Sequence, residues 1–65
     1  SLFRRIAQAN QLTLVERETL MRIVRHYDID DPALILVKRS LFEAAVPALK
    51  LDSATTESIR KKLYA

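Results

Sequence analysis

Apolar residues recur at helical spacing from the start of the chain. Leu2, Phe3, Ile6 and Ala7 fall on one side and Arg4, Arg5 and Gln8 on the other, which predicts a short amphipathic helix over residues 2–10. Thr13-Leu14-Val15-Glu16 then has the form of a capping box: the threonine hydroxyl serves the third backbone amide, and Glu16 reaches back to the cap. Leu12, just before it, is a candidate hydrophobic staple. Winding the following residues at about 100° each gathers Leu14, Leu20, Met21, Ile23, Val24 and Tyr27 in one arc and leaves Glu18, Thr19, Arg22, Arg25 and His26 opposite. Glu18 stands four residues before Arg22, a spacing that favours a helical ion pair worth about 0.3–0.5 kcal/mol when exposed.

The acidic stretch Asp28-Ile29-Asp30-Asp31 closes this helix, and Asp31-Pro32 opens the next, with Asp31 as N-cap and Pro32 where a missing N–H costs nothing. Residues 33–46 then read as one continuous helix. Leu34, Ile35, Val37, Leu41, Phe42, Ala45 and Val46 cover most of its circumference, as in a central helix packed on several sides, and the Lys38 stem snorkels along them. Pro47 should kink or stop it. Residues 48–51 form a turn, Asp52 or Ser53 caps a last helix to about Tyr64, and the apolar stripe there is Ile59 and Leu63 with Thr56 or Leu51. Arg60, Lys61 and Lys62 lie at its C-terminal end, where the helix dipole favours cations. The expected fold is all-α: a compact bundle of four short helices, three forming a core and a C-terminal helix docked across it. No repeat, linker or low-complexity tract divides residues 1–65, so they are read as one domain.

Composition narrows the chemistry. The chain has no glycine, no cysteine and one histidine, His26. Phosphate-cradling and dinucleotide turns need glycine, and thiolate metal sites need cysteine. Ser40, His26 and Asp28 do not converge by spacing, and Asp28, Asp30 and Asp31 lack the glycine turn and distal glutamate of a calcium loop, so they are read as capping residues. No catalytic, cofactor-binding or metal-binding residue is expected, and no small-molecule substrate. Without glycine, helices are expected to stop at Thr13, Asp31-Pro32, Pro47 and Asp52-Ser53.

At 7.5 kDa, with 49% apolar residues and no disulfide, the domain has little interior in which to hide its apolar surface. A partner protein or a second copy is therefore expected to cover some of it. Ser1 in place of an initiator methionine suggests excision from a longer polypeptide. No apolar run reaches membrane-spanning length and no secretory signal is visible, which gives a cytoplasmic or nuclear expectation without membrane partners. The net charge of +3 and pI near 9.7 mildly favour acidic partners.

Two binding readings follow. The favoured one is a protein-docking or assembly domain: Val15 and Leu36 are apolar side chains on otherwise polar arcs, and Arg39 and Glu43 would form a polar rim beside them. The alternative is DNA binding. Residues 42–63, most clearly 45–63, partly resemble the helix-turn-helix pattern: Ala45, Leu49 and Leu51 at buried positions, Ile59 and Leu63 as anchors of a recognition helix, and Thr55, Ser58, Lys61 and Lys62 near a groove or phosphates. The pattern is broken by Pro47 within its first helix, Lys50 where the turn prefers glycine, and Thr56 in place of an apolar anchor.

Overall fold

The computed structural model describes residues 1–65 and contains only helices: α1 (Leu2–Ala9), α2 (Leu14–His26), α3 (Ala33–Val37), α4 (Arg39–Ala48) and α5 (Ser53–Leu63). Four of these have eight residues or more, and they make the expected small helical bundle, 27 × 25 × 19 Å. All five contribute to one core. Phe42, Leu20, Ile23, Ile35 and Ile59 are its largest fully buried side chains, joined by Ala7, Leu12, Val24, Leu36 and Ala45.

The helix starts follow their local chemistry. Thr13 and Glu16 form the reciprocal capping box, with Glu16 N–H to Thr13 Oγ1 at 3.1 Å and Thr13 N–H to Glu16 Oε1 at 2.8 Å. The Asp52 carboxylate accepts from the Thr55 amide at 2.8 Å, which makes Asp52 rather than Ser53 the cap of α5 and holds its carboxyl below the usual range. Asp31 accepts from the Ala33 amide at 3.0 Å, as the expected cap would, but α3 begins one residue later than expected, at Ala33, with Pro32 (φ −55, ψ −27) in the cap position.

The helix ends depart from expectation. In place of glycine, Gln11, Asp28 and Lys50 adopt left-handed φ values of 57, 52 and 52. Each follows a helix in a complete Schellman motif: the amides of Leu12, Ile29 and Leu51 reach back to the carbonyls of Ala7, Val24 and Val46, each at 3.0 Å. Thus α1, α2 and α4 end on a polar residue in an unfavourable conformation, followed by an apolar one that folds back on the core. This accounts for the burial of Leu12, whose staple partner would have been Arg17. Pro47 does not stop α4; it sits inside the last turn.

The expected continuous helix over 33–46 breaks at Lys38 (φ −111, ψ 89). A straight helix would spread Ala33, Ile35, Leu36, Phe42 and Ala45 too widely around its axis to face one core, and the bend lets both halves do so. Lys38 is exposed at the corner, Leu34 and Val37 point to solvent, and Leu41 is only partly buried, so no single helix is the centre. The break leaves the Ile35 carbonyl without the Arg39 amide, and the Tyr64 hydroxyl donates to it instead. Tyr64 also packs on Phe42, with ring centroids 5.4 Å apart. Burial, with the Glu43 charge beside it, pushes the Tyr64 phenol up to about 12.

Candidate binding surface

On α2, Leu14 and Val15 occupy the first turn, and each is 64% exposed. They line a shallow open groove of about 420 Å³ with Glu18, Thr19, Arg22 and Arg25. The sequence pattern placed Leu14 in the buried arc, but the helix is rolled so that Leu20, Ile23, Val24 and the N-cap-facing Glu16 are covered, leaving Leu14 outside with Val15. Tyr27, also expected in that arc, is exposed at the C-cap. The expected Glu18–Arg22 ion pair is not formed. Arg22 instead donates to the Leu49 carbonyl across to α4 at 3.1 Å, fixing one edge of the groove, while Arg25 has no ion-pair partner.

Of the other residues expected at a protein-docking site, Leu36 is not available: it is only 3% exposed and belongs to the core. It faces inward because the bend at Lys38 rotates α3 relative to α4. Arg39 and Glu43 do pair, at 3.2 Å, but Glu43 is gripped mainly by Arg60, whose Nε and Nη2 donate to its two oxygens at 2.9 Å each. Arg60 therefore holds the Glu43 carboxyl below its usual range against the opposing push of burial, and Arg39 adds a lesser pull in the same direction as Arg60. The Arg60 guanidinium also lies 6.0 Å from the Phe42 ring centroid. This cluster clasps α4 to α5.

The four residues of the helix-turn-helix reading are mostly engaged within the fold. The Thr55 hydroxyl donates to Asp52 at 2.9 Å, and the Ser58 hydroxyl donates to Glu16. Lys62 donates to the Glu16 carboxylate at 2.7 Å and to the Gln11 carbonyl at 3.0 Å, tying α5 to the α1–α2 turn. Lys61 alone among them is exposed and without a partner. Lys50 takes the left-handed turn conformation of that motif without being glycine, and Thr56 is buried at the anchor position, its hydroxyl donating to the Ser53 carbonyl at 2.9 Å.

At the hub of these contacts lies Glu16, 4% exposed. Burial alone raises its pKa, but Lys62, Ser58 and the Thr13 amide together outweigh that and hold the carboxyl down to about 2. The capping box revealed Glu16 in the sequence; its second role, as anchor for α5, depends on residues more than forty positions away and has no local signal.

A second groove, about 530 Å³, runs between α1 and the start of α2, lined by Arg4, Gln8, Gln11, Leu12, Thr13 and Arg17. The Arg4 and Arg17 side chains make no hydrogen bond or ion pair within the chain, and Arg17 Nε is buried without a partner. An orphaned buried donor of this kind costs about 1–3 kcal/mol. No three His, Cys, Asp or Glu side chains lie close enough together to hold a metal ion. No helix is long and apolar enough to cross a membrane. Comparison with known protein families, with curated proteins and with solved structures finds no match to this chain.

Proposed function

We propose that this is a non-catalytic docking domain that receives a partner polypeptide on the outer face of α2. The observation that carries this reading is the pair Leu14 and Val15, each 64% exposed on adjacent positions of the longest helix, in a groove whose far end carries Arg22 and Arg25. Fully burying such side chains contributes about 1.5–3 kcal/mol each, enough to anchor a short amphipathic segment. The arginines favour a segment with carboxylates beyond its apolar anchor. Arg39 and Glu43 act within the fold on this reading, and Leu36 belongs to the core. DNA is a poorer fit, since a phosphate-binding α5 would need Lys62 and Ser58 released from Glu16.

Selection of peptides from a random display library on the immobilised domain tests the reading. Enriched peptides are expected to carry apolar and acidic residues together and to bind Val15→Asp at least about tenfold more weakly than wild type, since a buried charge at the anchor costs more than 1.4 kcal/mol. Peptides that bind Leu14→Asp and Val15→Asp as well as wild type would remove α2 as the docking face. Sedimentation at increasing concentration identifies the remaining occupant: an association abolished by Val15→Asp would make the partner a second copy.

A further inference from the structure

We infer that the groove between α1 and α2 is a carboxylate-binding site, in which Arg4 and Arg17 receive acidic side chains of a polypeptide. This rests on the docking reading only in taking the ligand to be a polypeptide. The groove contains two guanidiniums and no carboxylate among its lining residues. The other cations near acidic groups are already committed: Lys62 to Glu16, Arg60 to Glu43 and Glu57, and Arg39 to Glu43. Arg4 and Arg17 are left with their full hydrogen-bonding capacity. Arg17 stands in an arrangement that leaves its buried Nε–H without an acceptor, so turning its guanidinium toward an anion in the groove breaks no existing hydrogen bond and relieves an uncompensated one.

The planar guanidinium fork matches a carboxylate in bidentate fashion. The rest of the lining selects a polypeptide over a bare oxyanion. The Gln8 and Gln11 side chains each offer a donor and an acceptor, make no hydrogen bond within the fold, and suit the alternating N–H and C=O groups of a peptide backbone. The Thr13 hydroxyl accepts from the Glu16 amide and keeps its own proton to donate. A phosphate would leave the amide carbonyls unmatched. The two grooves meet different residues of the same helix start: Thr13 and Arg17 line this one, and Leu14, between them in sequence, lines the proposed docking face.

Nuclear magnetic resonance of the isotopically labelled domain, titrated with terminally blocked hexaglutamate, tests the site. The Arg17 Nε–H and the Gln8 and Gln11 side-chain amides are expected to shift saturably, and blocked hexaglutamine to shift none of them. Arg4→Lys and Arg17→Lys keep the charge and lose the fork, and each is expected to weaken hexaglutamate binding about tenfold, while Arg5→Lys on the exposed side of α1 leaves it unchanged. Equal shifts at the Nε–H of Arg5, which lines neither groove, would reduce the effect to general charge attraction and overturn the site. Tighter saturation by inorganic phosphate or by duplex DNA would overturn the assignment to a polypeptide. Hexaglutamate has no apolar side chain, so failure here leaves the docking reading, tested on Leu14 and Val15, standing on its own.

Discussion

Replacing Glu16 by glutamine removes one charge at the point where three elements meet. The carboxylate accepts from the Thr13 amide, the Lys62 ammonium and the Ser58 hydroxyl, and these lower its pKa from 4.5 to about 2. At ~1.4 kcal/mol per pH unit, a displacement of that size corresponds to about 3 kcal/mol of folding stability. A folded-state pKa below the unfolded one stabilises the fold fully above the unfolded value, so this contribution is complete above about pH 5 and disappears as pH falls from 4.5 towards 2. Glutamine mimics the protonated side chain in shape: its carbonyl oxygen can take the Oε1 place, where Thr13 and Lys62 donate, but the charge is lost and its NH2 faces the Ser58 hydroxyl in place of Oε2. A chain of 65 residues has a total stability of roughly 3–10 kcal/mol, so a loss of about 3 kcal/mol is a large fraction and should lower Tm by on the order of 10–20 °C. Urea unfolding followed by far-ultraviolet circular dichroism, at steps from pH 7 to pH 2, measures both effects. Wild type should lose its advantage over Glu16→Gln through the window between 4.5 and 2, with Glu43 and Asp52 contributing equally to both proteins. A Glu16→Gln protein within about 0.5 kcal/mol of wild type at pH 7, with an unchanged pH slope, would refute the anchoring role.

Three further outcomes follow from the packing. Lys50→Gly removes a side chain from a left-handed position and should raise stability by about 0.5–1 kcal/mol, seen as a higher urea midpoint; Asp28→Gly should gain less, because aspartate tolerates that region better. Phe42→Ala, at the centre of the core, should cost about 3–5 kcal/mol by the same denaturation assay, and Leu41→Ala, at its edge, clearly less. Leu36→Asp should abolish the cooperative unfolding transition rather than alter association, since it buries an unpaired charge in the core.

The features legible in the sequence are those whose physics is local. Thr13 with Glu16, Asp31 with Pro32, and Asp52 each satisfy backbone groups within three residues, so the side chain that starts the helix is visible beside it. The helix ends were harder to read because glycine, their usual mark, is absent; Gln11, Asp28 and Lys50 take its place only because Leu12, Ile29 and Leu51 behind them are pulled onto the core. The break at Lys38 has no punctuating residue and no side-chain cap, and is set by the need of both α3 and α4 to face the same interior. That single bend also moved Leu36 from an expected surface position into the core and created the unmatched Ile35 carbonyl that Tyr64 occupies. At the candidate surface, Val15 was identifiable as an apolar residue on a polar arc. Leu14 beside it was not, because helical spacing fixes the angles between residues and leaves the roll of the helix to tertiary packing. The internal commitments of Lys62 and Ser58 depend on Glu16, more than forty residues earlier, and no spacing rule connects them.

The central claim is that α2 presents the binding surface while α5 is committed to holding the fold. Fluorescence anisotropy with two ligands, a display-selected peptide and a labelled DNA duplex, against Val15→Asp and Lys61→Glu tests it most directly, with each titration run at two salt concentrations. The expected result is peptide binding that falls at least about tenfold in Val15→Asp and is unchanged in Lys61→Glu, with no salt-dependent affinity for the duplex. Duplex binding that weakens steeply with salt and is lost in Lys61→Glu, alongside peptide binding indifferent to Val15→Asp, would contradict the account.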